Sequence, residues 1–221
     1  SSSAARGRLL VTIKTNASAW SCASTVRRAT LSWLVSDDRP SVSPGLNMSA
    51  PQLHLASSSP RRQEILTAMG LRFSHAGVDI DESRHEDEAV DDMVMRLARE
   101  KAFAADNGKH GKIPILGADT IVVLGDRVFG KPASKEDALD MLAALSATAH
   151  RVLTAVAVVT GDELGTAMSD TEVRFRDISP DEALAYWQSG EPAGKAGAYA
   201  IQGLGGIFVE SVNGSYSGVV G

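Results

Sequence analysis

Two adjacent arginines follow three serines and a proline at Ser57–Arg62. Ser59 suits a helix N-cap and Pro60 suits the first helical position, so the sequence predicts that a helix begins here. Arginine in a first helical turn does not complement the helix dipole, which costs about 0.3–1 kcal/mol. An anionic ligand such as a triphosphate, bound at the helix N-terminus, would explain both arginines. The alternative is that they are solvated, or paired with Glu64 or with a nearby acidic loop.

A second candidate is Asp119, which interrupts the most apolar strand-like run, "PILGADTIVV". A carboxylate in such a strand is desolvated, and burial without a partner is costly or forces the group to become neutral. Buried aspartates of this kind bind a metal, serve as a base or cap a buried turn. The sequence therefore favours a functional role for Asp119.

Three other charged positions could complete a site around Asp119. Lys101 continues the apolar stripe of a predicted helix, so it faces a cleft unless it extends to solvent from the helix end. Lys131 lies in a Gly-Lys-Pro turn after the next strand, and the alternative is an ordinary surface lysine. Glu82 or Asp81, directly after the strand-like "VDI", is best placed to join Asp119 around Mg²⁺.

Glycine is concentrated near the end of the chain, in "GKAGAYAIQGLGGIF" at 194–208. Such a segment can approach a ligand with its backbone, but no helix is predicted after it, so it is not a dinucleotide-binding fingerprint. The P-loop, HExxH, CxxC and GxSxG motifs are absent from the sequence. The five histidines show no metal-ligand spacing, and His150, just before a predicted strand, is interpreted as structural.

Short strands and amphipathic helices must position these residues. Strands are predicted at 53–56, 72–78, 113–124, 127–130, 151–160 and 167–176. Helices are predicted at about 60–69 and 89–106, after Ser134, and between Ser179 and Ser189. The final segment, 206–221, is predicted to be a hairpin with an Asn-Gly turn. This order favours an α/β or mixed α+β fold with a mixed sheet flanked by helices.

Charge is unevenly distributed along the chain. Residues 1–47 carry six basic and two acidic side chains, whereas residues 48–221 carry 16 basic and 25 acidic ones. Because residues 48–221 are strongly acidic, we expect them to bind nucleic acid poorly. An anionic substrate would need a local basic pocket, together with a metal cation. No apolar run is long enough to span a membrane, so we expect a soluble protein with no membrane partner. Cys22 is the only cysteine, which excludes a disulfide framework.

Residues 1–47 differ from the rest in being rich in Ser, Ala and Arg. Their composition is typical of an organellar transit peptide, but a non-native extension before Met48 is the favoured interpretation. Neither interpretation gives the segment a catalytic role. We therefore expect a leader at 1–47 and one domain at 48–221, located in the cytoplasm unless the leader is a genuine transit peptide.

The motifs, in this order, resemble the Maf family of nucleoside triphosphate pyrophosphatases from Leu53 to Gly221. The matching segments are "LASSSPRRQEIL", "DIDES", "RLAREKA", "LGADTIVVL", "GKP" and "GKAGAYAIQGLGGIFVESVNGSYSGVVG". Within the family, "ADT" and "YAIQG" are similar to the branch that acts on dTTP and UTP, not to the 7-methyl-GTP branch. The resemblance implies a two-lobed fold like that of inosine triphosphatases, with an elongated mixed sheet, a central cleft and a homodimer.

The resemblance also implies a role for each matching residue. Asp119 matches the general base that activates water for attack on the α-phosphorus, and Glu82 matches an acidic residue that shares Mg²⁺ or Mn²⁺ with it. The family's phosphate-binding positions are matched by Ser57, Ser59, Arg61 and Arg62. Its two active-site lysines are matched by Lys101 and Lys131. Arg61, Thr120 and Gln202 form the base-discriminating group, and the Gln202 amide can both donate to and accept from a pyrimidine edge.

The sequence departs from the family pattern at two places, and it leaves two alternative functions open. Ala147 stands where the family commonly has glycine, and the family continues beyond "VVG" into a final helix that we expect to be missing here. A nucleotide-binding regulator of cell division, without essential turnover, would carry similar cleft residues. An enzyme for inosine-type purines shares the expected architecture, but its motifs differ.

Overall fold

A seven-stranded mixed sheet organises the part of the chain that the computed structural model describes, residues 50–106, 108 and 113–221. The strands are β1 (Leu53–Leu55), β2 (Phe73–His75), β3 (Ile115–Leu124), β4 (Arg127–Phe129), β5 (Ala149–Thr160), β6 (Glu163–Phe175) and β7 (Val209–Asn213). The order is β2-β1-β3-β5-β6-β7, and β4 pairs with β3. β1 is parallel to β2 and β3, and the other pairs are antiparallel.

Helices cover both faces of this sheet. They are α1 (Pro60–Ala68), α2 (Val90–Ala105), α3 (Lys135–Leu145), α4 (Pro180–Gln188) and α5 (Tyr216–Val220), with 3₁₀ turns at Ala196–Ala198 and Leu204–Phe208. The predicted mixed α/β class is confirmed. None of the described helices is both long and apolar enough to cross a bilayer. The expected leader, residues 1–47, lies outside the described residues.

Two apolar clusters lie on opposite faces of β3 and β5, because successive side chains of a strand alternate between faces. On one face α2 packs against Ile121, Val123 and Leu153. On the other face α3 and α4 enclose a second cluster that includes Val122 and Val152. The central strands are therefore buried on both sides, which explains their nearly continuous apolar sequence.

Local capping signals predicted two helix starts correctly. The Ser179 side chain accepts a hydrogen bond from Glu182 N, and the Glu182 carboxylate accepts one from Ser179 N, so the capping box is complete. At α3, the Ser134 side chain accepts from Asp137 N. The Asp137 carboxylate instead accepts from Ala133 N, so this cap differs from a full box.

The predicted C-terminal hairpin is wrong. β7 pairs with β6, but residues 216–220 form the short helix α5 instead of a second strand. Gly214 has a φ of +136°, which turns the chain, and the Ser215 side chain caps the helix by accepting from Gly218 N. Thr154 Oγ1 donates to Gly218 O, and Val219 is buried. Packing on the sheet therefore overrides the strand preference of the tyrosine and valines in this segment.

Ala147 lies in the turn between α3 and β5 with a φ of +55°, in the left-handed region. Its amide donates to Arg176 O at 3.1 Å, which fixes the turn. Glycine adopts this conformation without steric cost, so the geometry fits the glycine that the family resemblance leads us to expect here.

Candidate active site

The open part of one edge of β3 defines the site. β1 pairs with β3 only at Ile115–Leu116, and β4 pairs only at Val122–Leu124. Between them, no described strand pairs with residues 117–121 on this edge. Asp119 lies in the middle of this gap, so side chains of other elements, rather than a neighbouring strand, can reach this edge of β3 beside its carboxylate.

Lys101 joins two carboxylates at this gap. Its Nζ lies 2.6 Å from Asp119 Oδ1 and 2.6 Å from Glu82 Oε1. Lys101 and Asp119 are buried, whereas the Glu82 side chain is about half exposed. Asp81 instead accepts a hydrogen bond from Ser83 N and is exposed, so Glu82 is the acidic residue that reaches the site. The structure brings these predicted residues together, and their catalytic roles stay predictions.

A glycine in β3 allows α2 to bring Lys101 to Asp119. A Cβ atom on Gly117 would overlap the backbone of α2 at Ala98 O and Ala102 N. Only glycine permits so close an approach between the helix and the strand. The sequence left open whether Lys101 faces a cleft or extends to solvent from the helix end, and its burial shows that it faces inward.

Arg96, which the sequence analysis missed as a functional candidate, holds the loop that carries Glu82. Its Nε lies 2.7 Å from Glu88 Oε1, and its Nη2 donates to Ser83 O at 2.9 Å. The hydrogen bond from Arg96 lowers the pKa of Glu88 to about 2, so this pair stays charged at neutral pH. A helix residue paired with a loop eight positions earlier leaves no periodic signal in the sequence.

Arg62 fastens the start of α1 to the open edge of β3. Its Nη1 donates to Ala118 O at 2.8 Å and to Ser57 Oγ at 3.2 Å, and its Nη2 donates to Thr120 Oγ1 at 3.3 Å. Burial lowers the pKa of Arg62, and the nearby Asp119 charge partly offsets that effect. The hydrogen-bond partners of this guanidinium are therefore strand β3 and Ser57, not Glu64.

Arg61 has no such partners. Its Nε is buried without a hydrogen bond, and it forms no ion pair within the described part of the chain. Burial is the largest influence on Arg61 and lowers its pKa. Arg61, Thr120 and Gln202 line one small pocket, together with Tyr199 and Val219. Its enclosed volume of about 20 Å³ suits a water molecule, so a nucleobase requires the lining to move.

Ser59 occupies the N-cap of α1, as predicted, but its side chain makes no capping hydrogen bond. The Ser57 hydroxyl instead accepts from Ser59 N at 3.2 Å and shapes the loop. The first amides of a helix have no partner within the helix. This end of α1 therefore keeps the donors that an anion needs.

Lys131 is exposed in the loop between β4 and α3. Burial opposes the ionisation of Glu82, but Lys101, Lys131 and Arg62 together hold the pKa of Glu82 below its ordinary value. Lys131 thus contributes positive charge to the site without a direct ion pair among the described residues.

His150 lies in the core, in keeping with its structural interpretation. Its Nε2 is 2.9 Å from Tyr199 Oη, and its ring packs edge-on against Phe175. Burial lowers the pKa of His150 to about 4, so the ring is neutral at physiological pH. Because Tyr199 also lines the small pocket, His150 supports the pocket from inside the core.

Residues 52–221 match the family described as Maf-like protein, and the chain belongs to this family. It is 52% identical over 172 residues to the dTTP/UTP pyrophosphatase of Hahella chejuensis, covering 77% of this chain and 86% of that protein. It is 48% identical over 172 residues to the dTTP/UTP pyrophosphatase of Saccharophagus degradans, covering 76% and 82% respectively. The recognition of the family from its motifs is confirmed.

A third relative is the dTTP/UTP pyrophosphatase of Pseudoalteromonas translucida, 47% identical over 169 residues, covering 76% of this chain and 89% of that protein. Among solved structures, a nucleoside-triphosphatase (dITP/XTP pyrophosphatase) from Mycobacterium abscessus is similar over 56% of this chain and 72% of that one. Its sequence identity of 15% and TM-score of 0.33 are too low to bear on the fold.

Proposed function

We propose that this protein is a nucleoside triphosphate pyrophosphatase that hydrolyses dTTP and UTP to the monophosphate and pyrophosphate. The observation that carries the proposal is the buried Lys101–Asp119 pair, with Glu82 on the same ammonium group, at the open edge of β3. The start of α1 lies beside this edge, together with Arg61, which has no ion pair among the residues that the structure describes. The substrate assignment is supported by relatives that are named dTTP/UTP pyrophosphatases.

In this proposal Asp119 is the general base. The adjacent ammonium of Lys101 orients the carboxylate, and Asp119 accepts the proton of a water molecule. The oxygen of that water attacks the α-phosphorus, and the bond from this phosphorus to the bridging oxygen of the β-phosphate breaks. Pyrophosphate leaves with the bonding electrons, and Arg61 and Lys131 offset its charge.

We also propose that a divalent cation, Mg²⁺ or Mn²⁺, takes part. No group of three or more His, Cys, Asp or Glu side chains suited to a metal occurs among the described residues. Two carboxylates nevertheless converge on one cationic atom, and Mg²⁺ typically uses one or two carboxylates plus substrate phosphates. Glu82 and Asp119 would hold the cation, which would offset the charge of the triphosphate.

Base recognition is assigned to the small pocket. Gln202 presents an amide that can donate and accept at the same time, which suits the edge of thymine or uracil. Thr120 and Arg61 lie in the same pocket and limit its size. The lining has to move less to admit the single ring of a pyrimidine than to admit the two rings of a purine.

The test is pyrophosphate release by the purified protein with Mg²⁺, across dTTP, UTP, CTP, ATP, GTP and 7-methyl-GTP. We expect selective turnover of dTTP and UTP, with kcat/KM at least about tenfold above the others, which corresponds to about 1.4 kcal/mol. Preferred turnover of 7-methyl-GTP would support the proposed pyrophosphatase reaction but contradict the assignment of dTTP and UTP as substrates. A folded protein with no turnover of any of these nucleotides would contradict the proposed function.

A further inference from the structure

One carboxylate holds the glycine-rich segment that carries Gln202. Glu191 follows α4, and its Oε1 accepts from Tyr186 Oη at 2.7 Å and from Gly205 N at 2.9 Å. Its Oε2 accepts from Leu204 N at 2.9 Å. Both oxygens are therefore used, and two of the three donors are backbone amides just after Gln202.

Tyr186 extends this arrangement to the other side of Gln202. Its hydroxyl donates to Glu191 and accepts from Ala200 N at 3.1 Å. The phenol and the carboxylate together fix the backbone two residues before Gln202 and two to three residues after it. A segment held at both ends by short hydrogen bonds has little freedom to change its path.

The glycines of the segment are explained by the same contacts. A Cβ atom on Gly203 would overlap the Glu191 carboxylate, and one on Gly205 would overlap the Tyr186 hydroxyl. The backbone passes directly over these two side chains, so a side chain at either glycine would displace the Glu191 carboxylate or the Tyr186 hydroxyl. The glycines concentrated in this segment therefore allow its backbone to pack on Glu191 and Tyr186, in addition to any contact with a ligand.

The Gln202 side chain itself is exposed and forms no hydrogen bond in the described part of the chain. It lines the small pocket that also contains Arg61 and Thr120. The backbone is fixed while the amide is free to bind, which is how a recognition residue is preorganised.

The ionisation states support this arrangement. Burial opposes the ionisation of Glu191, but the hydrogen bonds from Tyr186, Gly205 and Leu204 hold the pKa of Glu191 below its ordinary value. Burial, and then the hydrogen bond to Glu191, raises the pKa of Tyr186 above its ordinary value. At neutral pH the acceptor is therefore charged and the phenol keeps its proton.

We propose that Glu191, together with Tyr186, is a positioning residue for substrate recognition, which acts by fixing the backbone that presents Gln202 to the nucleobase. The inference rests on the proposed function, because it assigns the role of a residue in the same site. Glu191 does not contact the substrate and acts through Gln202.

A double-mutant cycle tests this role. The readout is the dissociation constant of a non-hydrolysable dTTP analogue for Glu191→Gln, Gln202→Ala and the double variant. Glu191→Gln replaces one carboxylate oxygen by a donor that opposes a backbone N–H, so we expect about tenfold weaker binding. If Glu191 acts through Gln202, the dissociation constant of the double variant is no larger than that of the single variant that binds the analogue less tightly. An undiminished effect of Glu191→Gln in the Gln202→Ala background would overturn the proposal.

The matched control is Glu210→Gln, since Glu210 is exposed and, within the described part of the chain, pairs only with Arg174 at the surface. It should leave the dissociation constant unchanged. If Glu191→Gln does not fold, Tyr186→Phe takes its place in the same cycle, because it removes the phenol contacts and keeps both backbone bonds to Glu191. The cycle needs no turnover, so absent pyrophosphate release by the unmodified protein would contradict the proposed function without deciding the positioning role.

Discussion

At the scale of single residues, the centre of the site is an ammonium group shared by two carboxylates. Lys101 is buried between Asp119 and Glu82, so its removal leaves a buried charge without its partner. Breaking a buried pair in this way destabilises a protein by about 3–5 kcal/mol. We therefore predict that Lys101→Met lowers both the free energy of unfolding in urea and the rate of pyrophosphate release.

The matched control is Lys131→Met. Lys131 is exposed and lies near the same carboxylates, but it makes no ion pair among the described residues. It should lower turnover and leave the free energy of unfolding within about 0.5 kcal/mol of the unmodified protein. Equal losses of stability in the two variants would show that the ion pairs of Lys101 with Asp119 and Glu82 do not stabilise the fold.

Several single residues were predictable because their local sequence conflicts with a simple structural role. Asp119 in an apolar strand, Lys101 on an apolar helix stripe and arginines at a helix start each predicted an interaction elsewhere. The partners of Arg62 were not predictable, since they include the carbonyl oxygen of Ala118, 56 residues away. Glu191 left no signal, because its three donors are found only once the chain has folded.

At the scale of elements, the close packing of α2 on β3 decides where Lys101 lies. Gly117 has no room for a Cβ atom against the helix backbone. We predict that Gly117→Ala displaces α2, destabilises the protein by about 1–3 kcal/mol through overpacking, and lowers turnover by separating Lys101 from Asp119. Urea unfolding and pyrophosphate release measure the two effects.

Gly165→Ala is the control for this prediction. Gly165 also lies in a strand, β6, but a Cβ atom there would meet no neighbour within 4 Å. It should leave stability and turnover unchanged. A tolerated Gly117→Ala would mean that the spacing between α2 and β3 is not limiting.

Helix caps and long apolar strands were predictable at this scale, since a few adjacent residues determine them. The Ser179–Glu182 box and the strands β3 and β5 are examples. The short helix α5 was not, because Tyr216 and the two valines after it favour a strand by themselves. Burial of Val219 and the bond from Thr154 decide its conformation, and both depend on the assembled sheet.

At the scale of the whole domain, the sheet places the residues proposed for chemistry and those proposed for base recognition on opposite faces. Asp119 and Thr120 are consecutive in β3, so their side chains lie on opposite faces. Asp119 faces α2 and Lys101, whereas Thr120 lines the pocket with Gln202. The two faces meet at the open edge of β3, where Arg62 contacts the strand. The mixed class was predictable from the order of elements, but this division is visible only in the structure.

Stability should depend on His150 at mildly acidic pH. Its pKa is about 4 in the folded protein and about 6.5 in an unfolded chain. Above pH 6.5 neither state binds the proton; between about 6.5 and 4 only the unfolded state does, so stability falls as the pH falls. We predict that the unmodified protein loses about 2 kcal/mol more unfolding free energy between pH 7 and 4.5 than His150→Phe does.

Urea unfolding at several pH values measures this difference. Glu88 and Glu182, with pKa values of about 2, lose their stabilising contributions mainly below pH 4.5, so they do not obscure it. Parallel pH dependences of the two proteins would contradict the assignment of a buried neutral imidazole.

Turnover and nucleotide binding by Asp119→Asn form the most direct test of the proposed chemistry. Loss of the general base predicts a fall in pyrophosphate release from dTTP of about 10²–10⁴-fold. The dissociation constant of a non-hydrolysable dTTP analogue should change little, because Arg61 and the pocket that contains Gln202 remain. The variant should stay folded, because Lys101 keeps its ion pair with Glu82. Pyrophosphate release close to that of the unmodified protein, from a folded variant, would contradict the assignment of Asp119 as the base.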